Sequence, residues 1–356
     1  MKKVLVAMSG GVDSSVTAYL LQRQGYECIG VTMKLYSGDM AGLPVGSGHT
    51  CCSLEDVEDA RSVCFRLGIP HYVFNLSEGF EQMVIRKFAE GYRAGLTPNP
   101  CIDCNRYLKF GELYRRAREL ECDYIATGHY ARIEQAADGQ FLLKKAADRS
   151  KDQSYVLYAL TQDHLSHTLF PLGGLTKAQV REIAEEQGFL NARKHDSQDI
   201  CFIPDGDYLS FLERYTGKTS QPGNLIDLEG RVLGSHRGAM AYTIGQRRGL
   251  GLAVPERVYV CQKNMKDNTV TVGPESALFS RHFTVGDWNW IVEPPTGELE
   301  AEVKIRYSQT EHRAVLQRDG DRVKVVFEQP QRAISPGQAA VAYQGETVLG
   351  GGTIYS

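Results

Sequence analysis

No apolar run in this 356-residue sequence approaches the length of a membrane span. The longest, such as Val4 to Met8 and Cys28 to Met33, have the size of single strands, whereas a bilayer-crossing helix needs about 20 apolar residues. The stretch after Lys2-Lys3 is too short for a secretory signal, and no cleavage-like site follows it. No membrane partner is expected, and a cytoplasmic location is. An excess of positive charge is missing too: 40 Lys and Arg stand against 43 Asp and Glu, a net charge of −3. Any nucleic-acid site must therefore be a local patch. Internal repeats and low-complexity segments are absent. An even cysteine count is lacking as well. Nine cysteines cannot all pair, so catalysis or metal binding is favoured over a static disulfide framework. Only one clear C-x-x-C is present, Cys101 to Cys104. With no second pair at zinc-finger spacing, a non-catalytic RNA-binding protein with a structural zinc is the weaker reading.

The chain does have an alternation of short apolar strands and amphipathic helices over its first two hundred residues. This is the pattern of an α/β fold whose parallel sheet is covered on both faces. Lys3 to Met8, Cys28 to Met33, Tyr72 to Asn75 and Asp123 to Thr127 read as strands, and Asp13 to Gln24 as the first helix, stopped by Gly25. Ser53 reads as an N-cap before a stripe of Val57, Ala60, Cys64 and Leu67. Residues 36–52 read as a Gly-rich loop. After about Pro204 the pattern changes. Turn signals at Gln221-Pro222-Gly223-Asn224 open a small domain with strands near Val258 to Gln262 and Thr269 to Val272. From about Phe283 the reading is all-β, with Glu302, Lys304 and Arg306 alternating against Val303, Ile305 and Tyr307. The expected division is 1–204, 205–275 and 276–356, the last a small β-barrel.

Ser9-Gly10-Gly11-Val12-Asp13-Ser14-Ser15 lies between the first strand and the first helix. Two glycines admit an anion close to the backbone, and the N–H groups of the helix start point at it. No Lys follows, so this is neither the G-x-x-x-x-G-K-[ST] loop nor G-x-G-x-x-G. Asp13 beside a polyphosphate suits a Mg²⁺ ligand. The string resembles the pyrophosphate loop of N-type ATP pyrophosphatases, which split ATP between the α- and β-phosphates and adenylate a substrate oxygen. That class holds both amidotransferases and RNA-modifying sulfurtransferases.

The cysteines distinguish these. Cys101-Ile102-Asp103-Cys104 follows the turn-rich Thr97-Pro98-Asn99-Pro100, and Cys201 sits between Asp199-Ile200 and Phe202-Ile203-Pro204. A thiolate is a strong nucleophile and can carry sulfur as a persulfide, and a second thiol can release that sulfur by exchange. Cys28, Cys64, Cys122 and Cys261 read instead as small buried hydrophobes, and Cys51-Cys52 as structural. Lys144-Lys145, Arg149 and Lys151 form a short basic cluster, and Arg247-Arg248 another. Either could be a solvated face.

Several strings together resemble tRNA-specific 2-thiouridylases over essentially the whole chain. They are Ser9 to Ser14, Cys51 to Asp56, Thr97 to Pro100 with Cys104-Asn105, Ala126 to Tyr130, Lys151 to Tyr155, Ser197 to Phe202, Tyr242 to Arg247 and Ser335 to Gln338. The resemblance implies a parallel-sheet ATP-pyrophosphatase (HUP-like) domain followed by the small central domain and the barrel. It implies that Ala7, Met8, Ser9, Gly10, Gly11, Val12, Asp13 and Ser14 hold ATP, with Met33 and Gly128 at the adenosine. It makes Cys201 the persulfide carrier and Cys104 its partner nucleophile, and puts Asn99, Pro100 and Cys101 at the target base. His129, Lys151, Asp152, Gln153, Arg306, Tyr307 and Gln338 would contact tRNA, and a cysteine desulfurase or sulfur-relay protein would supply sulfur. One departure is Cys101, where the better-known members have an Asp with an acid/base role; Asp103 need not replace it. Cys101, Cys104 and Cys201 could alternatively ligate a [4Fe–4S] cluster. A rival enzyme reading is a tRNA lysidine synthetase or an ammonia-using ligase, which would not need Cys104 or Cys201.

Overall fold

A computed structural model describes residues 1–36, 54–194, 200–293 and 296–355 of the chain. Strands β1 (Lys3–Ala7), β2 (Glu27–Lys34), β3 (His71–Asn75) and β4 (Tyr124–Ala126) are followed by a hairpin, β5 (Ala131–Gln135) and β6 (Phe141–Lys145), and then by β7 (Thr168–Leu169). The first sheet is parallel and runs β3-β2-β1-β4-β7. Its central strand is fully buried: Val4, Leu5 and Val6 are 0% exposed, as expected of a strand covered on both faces. One face packs on helices α1 (Val12–Arg23) and α2 (Leu54–Leu67) through Val16, Leu21, Ala60 and Cys64. The other packs on Phe110, Leu113 and Tyr155. The expected strands fall within a residue or two of the observed ones. The proposed N-cap Ser53, Cys51-Cys52 and most of the Gly-rich loop lie outside the described residues.

The small central domain is a four-stranded sheet of β8 (Gly223–Ile226), β9 (Val232–His236), β10 (Tyr259–Asn264) and β11 (Thr269–Gly273), ordered β10-β11-β8-β9. The last domain is a closed antiparallel barrel of β12 (Phe279–Trp290), β13 (Leu299–Lys304), β14 (His312–Asp319), β15 (Arg322–Arg332), β16 (Ala339–Gln344) and β17 (Thr347–Ile354), with β12 pairing to both β15 and β17. Closure leaves no open edge except where one is used. β17 pairs with β6 at Thr347–Lys144, so the hairpin of the first domain extends the barrel sheet to eight strands.

That junction overturns the simple alternation read for β13. Val303 and Ile305 are buried as expected, but so is Lys304, while Tyr307 is 44% exposed. The barrel wall here faces the first domain rather than water: the Lys304 ammonium lies 5.8 Å from the ring centres of both Tyr155 and Tyr307, and burial holds it below the usual lysine range. No helix among the described residues is long and apolar enough to cross a membrane.

Candidate active site at the carboxyl edge of the parallel sheet

In open α/β sheets ligands bind beyond the carboxyl ends of the strands. The register here pairs Ala7 with Val31 and Val6 with Ala126, so Met8-Ser9, Met33 and Thr127-Gly128 emerge side by side. Gly10 has φ +73°, and a Cβ on it would lie 2.4 Å from the Asp56 carbonyl oxygen, so only glycine fits there. Gly11 caps α1 without any side-chain hydrogen bond to the helix start, leaving the first-turn N–H groups for a ligand. Ser14 Oγ accepts from Ser9 N–H at 3.2 Å and donates to Gly11 O at 3.0 Å, which folds the loop on itself. Asn191 clamps it from outside, donating to Gly10 O at 2.8 Å and Ser15 Oγ at 2.9 Å. Gly128 closes the far wall: a Cβ there would sit 3.0 Å from Asp13 and Ser14 backbone atoms.

Asp13 has company that the sequence reading did not supply. Lys177 Nζ donates to its two carboxylate oxygens at 2.7 and 2.8 Å, and Tyr130 OH donates to Oδ1 at 2.8 Å. A single carboxylate on a phosphate-admitting loop fits Mg²⁺, which takes one or two carboxylates together with phosphate oxygens. Occupation by the metal requires Lys177 to turn aside.

The second half of the site is the cysteine segment. Asn99 caps a short helix, Pro100–Asp103, by accepting from Cys101 N–H at 3.1 Å, and Pro100 occupies its first turn. The barrel fixes this segment: Thr97 N–H donates to Pro336 O at 2.8 Å, and Gln338 Nε2 donates to Thr97 O at 2.7 Å. Cys101 is exposed, Cys104 and Cys201 are half-buried. Cys104 and Cys201 pack against one aromatic cluster built on Phe80, Phe88, Phe202 and Phe211. Tyr36, two residues beyond β2, donates its hydroxyl to Cys201 O at 3.1 Å, and Met33 packs on the same cluster. The end of β2 thus connects the Met33 side of the loop to the backbone of Cys201. Cys101 lies near Tyr307, whose phenol is raised by burial first and then by Asp152 and Cys101. Among the described residues, which include all three cysteines, no group of three His, Cys, Asp or Glu side chains could hold a metal ion. Asp103 is paired with Lys87 at 2.6 Å while burial keeps its carboxyl above the usual range. Cys28 and Cys64 are buried in the sheet core, which pushes their thiols up to about 11 and about 12, and Cys122 is buried as well.

The family model described as the tRNA methyl transferase HUP domain matches residues 2–205. Those for the PRC-barrel domain and the aminomethyltransferase beta-barrel domain match 209–274 and 280–354. A tRNA-specific 2-thiouridylase MnmA of Carboxydothermus hydrogenoformans is 52% identical, over 99% of this chain and 97% of its own length. Its counterparts in Heliobacterium modesticaldum and Halothermothrix orenii are 51% and 48% identical, again over 99% of this chain, and over 92% and 99% of theirs. The chain belongs to the tRNA-specific 2-thiouridylase family.

In this 2-thiouridylase-family chain the residues expected to meet RNA are placed unevenly. Arg306 reaches inward, donating from Nη2 to Ile244 O, Ala333 O and Ser335 Oγ at 3.1, 3.0 and 2.7 Å. Asp152 is buried and accepts from Ala146 N–H and Ser154 Oγ at 2.8 and 2.7 Å. Gln153 and Tyr130 exchange bonds of 2.9 and 3.0 Å. Lys151 is half-buried, in a turn closed by its N–H on Asp148 O. Tyr307 is the most open of the set, and Gln338 is committed to Thr97. Much of the basic cluster is neutralised: Lys144 pairs with Glu134, Lys145 with Glu311 at 3.1 Å, and Arg149 with Glu346. Arg247-Arg248 is exposed.

His129 lies inside the protein between Phe110 and Phe170, with Thr127 Oγ1 at 2.6 Å from Nδ1 and Lys109 Nζ at 3.4 Å from Nε2. Burial, and secondarily Lys109, hold its imidazole well below the usual range. An unfolded histidine titrates near pH 6.5. Below that pH the unfolded chain binds a proton that the folded chain does not. The stability due to neutral His129 is therefore complete above about pH 6.5 and declines as the pH falls towards the folded value, by about 1.4 kcal/mol per unit. His129→Gln is expected to flatten the acid limb of stability by one proton in urea melts between pH 7.5 and 5. An unchanged slope would assign that limb to other groups.

Lys177 and Asn191 were not legible as site residues, since they enter the loop from far along the chain. One local signal existed for Lys177: it directly follows Thr176, the N-cap of helix Lys177–Glu186. A cation at that end opposes the helix dipole.

Proposed function

We propose that this enzyme is a tRNA-uridine 2-sulfurtransferase. It adenylates O2 of the wobble uridine with ATP, releasing pyrophosphate, and then replaces that oxygen with sulfur carried as a persulfide on Cys201, giving 2-thiouridine and AMP. The observation that carries this reading is the β2 connection: Met33 and Cys201 meet one aromatic cluster, and Tyr36 bonds the Cys201 backbone. The names and full-length similarity of the relatives support it.

The chemistry requires both halves. The C2 carbonyl of uracil is part of a urea, and its oxygen leaves poorly. Attack of O2 on the α-phosphorus forms the O2–P bond and breaks the bond to the β-phosphate bridge. Pyrophosphate takes the electron pair, and the N3 proton passes to water. The backbone of Gly10-Gly11, the start of α1 and the Ser hydroxyls receive the charge on the departing group. Asp13 would hold a Mg²⁺, which screens the polyphosphate charge when bound. Cys201 is loaded by a cysteine desulfurase or sulfur-relay protein. Its terminal persulfide sulfur attacks C2 and AMP leaves, giving a C2–S–S–Cys201 adduct. The Cys104 thiolate then attacks Cys201 Sγ, forms the Cys104–Cys201 disulfide and frees the thiocarbonyl; an external thiol restores both cysteines. Extracting the base costs a few kcal/mol, least in an unpaired anticodon loop. Asn99, Pro100 and Cys101 would meet that base, with Tyr307 and its neighbours on the RNA. A cytoplasmic setting keeps the thiols reduced between turnovers.

The test is incubation with unmodified tRNA, ATP, Mg²⁺ and a cysteine desulfurase with its cysteine substrate, followed by nucleoside mass analysis. ATP-dependent 2-thiouridine at the wobble position is expected. Pyrophosphate release with no thiolated nucleoside, or thiolation elsewhere, would overturn the reading.

A further inference from the structure

Lys177 occupies a costly position. It is 9% exposed, stands at the positive end of its own helix, and aims its ammonium at Asp13 in the first turn of a second helix, α1. Two helix N-termini and a buried ammonium therefore converge, and among the described residues the carboxylate between them is that of Asp13. Stability does not demand such a pair, because buried ion pairs are often no better than apolar packing of the same volume. What the place suits is an anion of greater charge. The backbone of Lys177 is anchored, its N–H donating to Asp148 Oδ2 at 3.0 Å, and Tyr130, which donates to Asp13, lies with its ring 5.8 Å from the Lys177 ammonium.

We propose that Lys177 is the cation of the pyrophosphate subsite, kept on Asp13 until ATP arrives and then passed to the β- and γ-phosphate oxygens. The loop at Ser9 to Ser15 has no lysine of its own, and Lys177 supplies the charge from 164 residues away in sequence. It forms and breaks no covalent bond and keeps its three protons. As the α–β bridge breaks, it neutralises the electron pair that leaves with pyrophosphate. Releasing Asp13 frees that carboxylate for the metal. This inference rests on the reading of the Ser9–Ser15 loop as the ATP site.

The test titrates pyrophosphate and AMP separately into the full-length protein by calorimetry, first in EDTA and then in Mg²⁺. Lys177→Met is expected to weaken pyrophosphate binding by about tenfold to a hundredfold, the worth of one charged hydrogen-bonded contact, and to change AMP binding by less than about twofold. In EDTA, Asp13→Asn is expected to act in the opposite direction and tighten pyrophosphate binding, since a negative charge that competes for Lys177 and repels the anion is removed. A merely structural pair would make both variants worse together. Lys177→Arg, which keeps the charge, should recover part of the affinity and covers the case in which the Met variant does not fold. Pyrophosphate affinity unchanged in Lys177→Met, or equal loss in Asp13→Asn and Lys177→Met, would overturn the proposal. Failure of the sulfurtransferase reading looks different: wild-type protein would bind pyrophosphate with the same Lys177 dependence yet make no 2-thiouridine.

Discussion

Cys201→Ser is expected to reduce 2-thiouridine formation more than about a thousandfold, as removal of a covalent nucleophile does, while ATP-dependent pyrophosphate release on tRNA stays within about threefold of wild type. The separation follows from placement. Cys201 packs on the Phe80–Phe202 aromatic cluster, whereas the groups assigned to pyrophosphate lie on the Ser9–Ser15 loop and α1. Serine fills nearly the same volume, so Met33 and Tyr36 keep their neighbours. Cys104→Ser should fail at a later point. With a cysteine desulfurase and limiting cysteine as the sulfur source, Cys201 would still attack C2, but no protein thiol would be there to break the adduct. A covalent protein–tRNA species, released by added thiol, should accumulate in Cys104→Ser and be missing in Cys201→Ser. Denaturing gels with and without reductant read this directly. Full thiolation by either variant would remove the cysteines from the mechanism and favour an enzyme that uses the loop for other chemistry.

The parts of the fold that could be read in advance are those in which each residue's environment repeats. Val4 to Val6 and Cys28 to Val31 are apolar because both faces of the sheet are covered, and the glycine at Gly25, φ +85°, marks the end of α1. The hairpin β5–β6 was illegible because Ala131-Arg132-Ile133-Glu134-Gln135 carries no strong pattern alone. Its strand character is completed by β17, about two hundred residues later. Lys304 misled for the same reason: alternation assigns a lysine to water, but a second domain stands where water was expected. The phosphate loop could be recognised because its geometry is local, two glycines between a strand and a helix. Its charge partner could not, since no spacing rule links Asp13 to Lys177. The basic cluster of Lys144-Lys145, Arg149 and Lys151 left open an RNA patch or a solvated face, and Glu134, Glu311 and Glu346 neutralise most of it at the domain junction.

Gly10→Ala and Gly11→Ala, one residue apart, are expected to separate folding from ligand binding. Gly10 sits at φ +73°, where an L-residue costs about 1–2 kcal/mol, and its new methyl would meet Asp56 O, Cα and C at 2.4, 2.7 and 2.9 Å. Those are backbone atoms of α2, so relief requires the helix to move, at about 1–3 kcal/mol for overpacking of this kind. The sum, about 2–5 kcal/mol, is a large share of a domain's stability, which is about 5–15 kcal/mol. Asp56 is itself paired with Lys194 at 2.7 Å, so a shift of α2 would loosen the far side of the loop as well. Gly11 has φ −88°, and among the described residues its added methyl would meet only Ser9 Oγ, at 3.4 Å. Gly11→Ala should therefore melt within about 0.5 kcal/mol of wild type, as benign substitutions do. Yet the same methyl would crowd the mouth of α1, where an anion must touch backbone N–H groups. Urea melts paired with ATP titrations should show Gly10→Ala losing both stability and binding, and Gly11→Ala losing binding alone. A Gly11→Ala protein that binds ATP as the wild type does would mean that the nucleotide does not approach the backbone at this turn, and the Ser9–Ser15 loop would no longer be the site at which pyrophosphate departs.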